Sequence, residues 1–107
     1  TNHVSLYAET KLKAEMGLQK ILGRNLALTI LRFGTIYGLS PRMRFDLVVN
    51  DLTKRAYFER EINIFGGSQW RPFVHVSDVA EAIIKALKNE KIKPNSQIYN
   101  VGSTKEN

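Results

Sequence analysis

With 107 residues, 43% of them hydrophobic and 24% charged, the chain has material for one small core and not for two. It contains no cysteine, which excludes a disulfide framework and any cysteine-ligated metal within it, and no apolar run reaches the ~20 residues that span a bilayer. The net charge of +6 is spread along the chain, a balance that suits nucleic acid, an anionic metabolite or solubility alone.

Ser5 is placed to cap a first helix in which Leu6, Ala8, Leu12, Met16, Ile21 and Leu22 recur at helical spacing, with Gly23-Arg24-Asn25 as its stop. Leu26–Phe33 is almost continuously apolar without alternation, the pattern of a strand buried on both faces of a parallel sheet. Gly34-Thr35-Ile36-Tyr37-Gly38 follows, then a polar loop from Leu39 to Arg44. The spacing of Phe45, Val48, Val49, Leu52 and Ala56 predicts a second helix over 45–57.

Ile62–Phe65 reads as a short strand stopped by Gly66-Gly67, and Phe73–Val76 as another. Ser77 is the expected cap of a third helix, with Asp78 and Glu81 near its positive end and Lys85, Lys88 and Lys91 near its negative end. A turn at Lys93-Pro94-Asn95 leads to a last strand, Ile98–Gly102. Mostly alternating helices and strands point to an α/β sheet rather than a bundle or sandwich.

One pair of residues carries chemistry by its spacing. Tyr7 and Lys11 stand four apart on the first helix, so both heads can reach one site. A phenol ordinarily titrates near ~10, too high for proton transfer at neutral pH, and an ammonium close by favours its anion. Such a pair is common on solvated helices and is not sufficient alone. His75 is different: no Asp, Glu, Cys or second His stands at ligand spacing from it, so it reads as strand packing rather than as part of a metal site or a hydrolytic triad. No metal is expected.

Taken together, four segments resemble the extended short-chain dehydrogenase/reductase family, the nucleotide-sugar epimerases and dehydratases. They are Tyr7-Ala8-Glu9-Thr10-Lys11, Leu31-Arg32-Phe33-Gly34-Thr35-Ile36-Tyr37-Gly38, the stretch from Ile64 through Trp70-Arg71-Pro72-Phe73-Val74-His75-Val76-Ser77-Asp78-Val79-Ala80, and Ile98-Tyr99-Asn100-Val101-Gly102. The resemblance implies the later portion of a Rossmann-like parallel sheet plus the start of a substrate-binding region, filling residues 1–107 as one partial domain. The family's Gly-rich turn matches none of the glycines in these 107 residues, and its third catalytic hydroxyl would precede Thr1. Together with the absence of a leading methionine, this leads us to expect a piece of a larger protein, inactive alone and prone to associate through exposed apolar surface.

By the same resemblance, Tyr7 is the general acid/base on a sugar hydroxyl and Lys11 supports its anion and hydrogen-bonds the nicotinamide ribose. Both therefore count as cofactor-binding as well as catalytic. Phe33 takes the aromatic position beside the cofactor, and Gly34 lets the backbone pass close to it. Thr35 falls where many members place an Asn against the substrate, so it departs from the pattern and leaves the sugar undetermined. Arg71 matches the arginine that pairs with the substrate diphosphate, although Pro72 stands where an Asp usually follows. Arg44 and Phe45 are candidates for the substrate base or phosphate; Asn50 reads as structural. Beside these stand the plainer alternatives of a solvated helix pair, a strand end with a turn glycine, and an ordinary surface arginine.

The expected activity is that of an NAD-dependent nucleotide-sugar epimerase, with NADP left open and a nucleotide-diphosphate sugar as substrate. A dehydratase or reductase of the same family is the alternative. A non-catalytic dinucleotide-binding relative is a further one, disfavoured because both Tyr7 and Lys11 are present. A cytoplasmic setting, a homodimer of the whole protein and no membrane partner are expected. Nucleic acid is disfavoured, since no helix-turn-helix, zinc-finger or RNA-binding aromatic motif accompanies the charge.

Overall fold

The computed structural model describes residues 5–21, 26–67, 70–89 and 96–103. The first helix, α1, spans Leu6–Lys20. Ser5 caps it as its position suggests, its Oγ accepting from the Ala8 N–H at 3.3 Å. A Glu9–Lys13 ion pair at 2.7 Å joins neighbouring turns, and the Ile21 N–H closes the helix on the Gly17 carbonyl. The expected stop at Gly23-Arg24-Asn25 lies outside the described residues.

Strand β1 covers Leu28–Phe33 and β2 covers Thr35–Tyr37, so the chain continues as a strand past Gly34. Helix α2 spans Val48–Phe58, β3 Phe73–His75, α3 Val76–Leu87 and β4 Ser96–Val101. β1 pairs in parallel with β4, from Leu28 beside Ser96 to Phe33 beside Val101. β2 pairs in parallel with β3, Thr35 beside Phe73 and Tyr37 beside His75. Parallel neighbours need a crossover, and α2 lies in the one between β2 and β3. The two pairs form separate two-stranded sheets, and the α/β architecture with parallel strands is as expected.

Three local expectations are corrected. Helix α2 begins at Val48 rather than Phe45. The preceding residues are held in turns by side chains: Arg44 grips Asp46, and Asn50 Nδ2 donates to the Arg44 carbonyl at 3.1 Å. Ile62–Phe65 forms no strand; Ile64 and Phe65 are exposed, and no described strand offers them a ladder. The third helix starts one residue before Ser77, and its cap is His75. His75 Nδ1 accepts from the Ser77 N–H at 3.2 Å, a bond the serine hydroxyl was expected to make further along.

Burial is concentrated at β2 and β3. Among the described residues Val74 is the one buried hydrophobe and Asn50 the one buried polar residue. Strand β1, expected to be buried on both faces, is only half-covered, with Arg32 exposed. Helix α1 buries nothing completely: Leu6 is 77% exposed, Leu12 and Met16 50%. It is fastened to β1 by Arg32, whose Nε donates to both Glu15 carboxylate oxygens at 3.1 Å while Nη2 reaches Oε2 at 2.5 Å. No helix among the described residues is long and apolar enough to cross a membrane.

Candidate functional site

An open cleft of about 730 Å³ runs along the ends of β1 and β2 and the loop that follows. Phe33, Gly34 and Thr35 form its floor, and Tyr7 borders it from α1. Arg42, Arg44 and Arg71 supply its charge, and among the described residues no Asp or Glu lines it. Most of the residues singled out in the sequence therefore meet at one place, although they come from four separated stretches of chain.

The floor is fixed by backbone. The Gly34 N–H donates to the Val101 carbonyl at 2.9 Å, and the Thr35 N–H donates to the Pro72 carbonyl at 2.8 Å. A Cβ on Gly34 would lie 2.6 Å from that same Pro72 oxygen. The glycine is thus required by the close approach of the chain to itself, independently of any bound molecule. This contact also places Arg71, the residue before Pro72, beside the floor.

Beyond Tyr37 the chain turns through Gly38, whose φ of +123° few other residues adopt and where a Cβ would meet His75 Nε2 at 2.7 Å. The imidazole packs edge-on to the Tyr37 ring, with centroids 5.3 Å apart. His75 thus serves packing and capping, in line with its reading from the sequence. Asn50, reaching up from α2, accepts from the Gly38 N–H at 3.4 Å and donates to the Arg44 carbonyl. One buried amide therefore closes the loop from Gly38 to Arg44 at both ends.

Two expected residues sit apart. Lys11 is not part of the cleft wall; its ammonium lies over the Tyr7 ring, 5.4 Å from the centroid, in cation–π geometry. Phe45 faces a second, apolar groove lined by Tyr37, Leu39, Met43, Val49 and Phe58, where Lys54 covers its ring at 5.0 Å. Arg44 borders the cleft, yet its fork is engaged by Asp46, with Nε–Oδ1 at 2.8 Å and Nη2–Oδ2 at 2.5 Å. These hydrogen bonds hold the Asp46 carboxyl down at about 2. In the same way the Arg32 fork holds the Glu15 carboxyl below its ordinary value.

Sequence reasoning passed over Arg42 and Ser40, both on the cleft wall. The available signal was the alternation Ser40-Pro41-Arg42-Met43-Arg44, which brings a second guanidinium into a loop already noted for its polarity.

The sequence pattern of the NAD dependent epimerase/dehydratase family matches residues 1–102. The chain belongs to that family. Among curated relatives it is 36% identical over 89 residues to the UDP-glucuronate 4-epimerase of Thermodesulfobacterium geofontis, covering 79% of this chain and 26% of the relative. It is 31% identical over 103 residues to UDP-glucuronic acid decarboxylase 4 of Arabidopsis thaliana, covering 92% of this chain and 22% of that protein. Among solved structures, MoeE5 in complex with UDP-glucose and NAD superposes with a TM-score of 0.74 at 34% identity, over 95% of this chain and 34% of MoeE5. The complex of MoeE5 with UDP-glucuronic acid and NAD matches equally well. The chain thus spans roughly a quarter to a third of the proteins it matches.

Proposed function

We propose that this chain is the portion of an NAD-dependent nucleotide-sugar epimerase that carries the acid/base pair and part of the substrate cleft. The observation that supports this most is the convergence of Tyr7 with Arg42, Arg44 and Arg71 on one cleft that no Asp or Glu lines among the described residues. Guanidinium forks suit the oxygens of a diphosphate, and a phenol at the rim suits a sugar hydroxyl. The names of the relatives and the ligands of MoeE5 agree with such a substrate.

NAD supplies hydride acceptance and return at the sugar carbon when bound. The residues present fit its nicotinamide end, since Tyr7, Phe33 and Gly34 border one space. Its pyrophosphate end has no Gly-rich counterpart in these 107 residues. In the first half-reaction Tyr7, as phenolate, takes the hydroxyl proton of the sugar while the carbon below it loses hydride, leaving a ketone. Lys11 stabilises the phenolate before the transfer and holds the ribose. In the second half-reaction Tyr7 returns the proton as hydride adds to the opposite face. Thr35 offers a hydroxyl to the sugar, and Arg71 pairs with the diphosphate.

The decarboxylases among the relatives favour one second reading, in which the same ketone activates loss of a neighbouring carboxylate. Oxidation by the Tyr7 centre is common to both. On its own the 107-residue chain is expected to be inactive, and the whole protein is expected to be a cytoplasmic homodimer. In the whole protein, Tyr7→Phe should lower turnover roughly 10²–10⁴-fold and leave NAD affinity unchanged. Turnover within a few-fold of the unmodified enzyme would remove Tyr7 from the acid/base role.

A further inference from the structure

Lys11 has two neighbours that can take its charge. One turn before it on α1 is the Tyr7 phenol, and one turn after it is the Glu15 carboxylate. Pairs four apart do close on this helix, since Glu9 and Lys13 meet at 2.7 Å. Lys11 nevertheless lies over the Tyr7 ring, 5.4 Å from its centroid, and pairs with no carboxylate among the described residues.

What keeps Glu15 from it stands on β1. Arg32 Nε donates to both Glu15 carboxylate oxygens at 3.1 Å, and Nη2 donates to Oε2 at 2.5 Å, so one fork occupies both oxygens. The Glu15 side chain is 19% exposed, the most covered of the ion-paired carboxylates among the described residues. Water is therefore a poor substitute for the fork, and without Arg32 the carboxylate would turn to the nearest cation, one turn back. The other carboxylate of α1, Glu9, is already taken by Lys13. Across the cleft, the charged residues that share its lining with Tyr7 are the guanidiniums Arg42, Arg44 and Arg71, which cannot pair with an ammonium. An ammonium held by a carboxylate lends less support to a phenolate.

Resting on the roles of Tyr7 and Lys11 proposed above, we infer that Arg32 is a positioning residue for that pair: by sequestering Glu15 it reserves Lys11 for Tyr7. This role is separate from fastening α1 to β1, because it requires that losing both members of the fork does less harm than losing Arg32 alone.

The test uses the whole protein loaded with NAD, its tyrosines isotope-labelled at the ring carbon that bears the oxygen. The Tyr7 resonance, identified by its loss in Tyr7→Phe, is followed against pH by NMR. Arg32→Gln should raise the Tyr7 midpoint by about half a pH unit or more, because Glu15 then draws the ammonium away from the phenolate. Glu15→Gln, alone or combined with Arg32→Gln, should leave the midpoint within about 0.2 of the unmodified protein. Arg32→Lys, a point charge without a fork, should fall in between. An unmoved midpoint in Arg32→Gln overturns the inference, as does a double variant shifted as far as Arg32→Gln alone, the outcome of a merely structural fork. Loss of NAD binding in Arg32→Gln and in the double variant alike assigns Arg32 to the fold and overturns it too. The midpoints are read without substrate, so they stand apart from the turnover of Tyr7→Phe, whose persistence would overturn the proposed function instead.

Discussion

Helix α1 and the loop held by Asn50 face the same cleft but are secured very differently. The loop is anchored to buried groups: Asn50 at both of its ends, a left-handed Gly38 against His75, and Val74 beneath. Helix α1 carries Tyr7 and Lys11 on a largely exposed cylinder, fastened to β1 through the Glu15–Arg32 fork. The wall that carries Arg42 and Arg44 is therefore fixed by buried groups, whereas Tyr7 and Lys11, the proposed acid/base pair, ride on a helix held mainly at its surface. A surface ion pair orients a helix but contributes little to its stability.

The largest effect that could break this contrast is at the proposed acid/base pair. Lys11→Met in the whole protein should lower turnover by on the order of 10²-fold with nucleotide-sugar affinity nearly constant, because it withdraws charge from the phenolate rather than from the substrate. A rise in substrate KM with constant turnover would put Lys11 on the sugar instead. Next comes the floor. Gly34→Ala must push Pro72 and β3 away, and it should weaken both nucleotide-sugar affinity and thermal stability; a variant with unchanged melting and affinity would show that the β2–β3 contact is not what shapes the cleft.

Smaller consequences follow from packing and pairing. Val74→Ala in the whole protein should cost about 2 kcal/mol in chemical denaturation, the scale for a truncated core side chain, and a cost near zero would place the core elsewhere. Glu15→Gln should leave global unfolding almost unaffected and raise amide exchange in α1 alone, which distinguishes a docking contact from a core one. The smallest effect is the titration of Asp46. Its carboxyl sits at about 2 in the folded protein, below the ordinary 3.8. Because the folded value is the lower one, the pair with Arg44 contributes fully above pH 3.8 and is lost as pH falls through about 2. A carboxyl chemical-shift midpoint at the ordinary value would mean that Arg44 is free to meet a phosphate.

Much of this was legible in the sequence where the cause is local. Ser5 announces α1, the apolar stripe of α3 announces its length, and the unbroken apolar run announces β1. The family motifs also converge in space, since Tyr7, Phe33, Gly34, Thr35, Arg44 and Arg71 all border one cleft. Expectations failed where a distant partner decides. Ile62–Phe65 has the composition of a strand and no ladder among the described residues, while Thr35–Tyr37 becomes a strand because β3 lies beside it. The start of α2 was misplaced because Asn50 holds the Arg44 carbonyl in a turn, a bond between positions that no helical period relates. The His75 cap was missed because imidazole seldom competes with serine for that place; here the strand ends one residue early and delivers the ring.

At Gly34 the chain changes partners within a single peptide: one N–H answers to Val101 and the next to Pro72. The β1–β4 and β2–β3 pairs are thereby geared together through backbone alone. A second tie runs beside it, where the Ser103 N–H just past β4 donates to the Phe73 carbonyl of β3 at 2.9 Å, so a twist of β3 is passed to β4 with no side chain needed to carry it. Such a coupling would survive wholesale exchange of the cleft's side chains, provided the residue at the junction remains the smallest one.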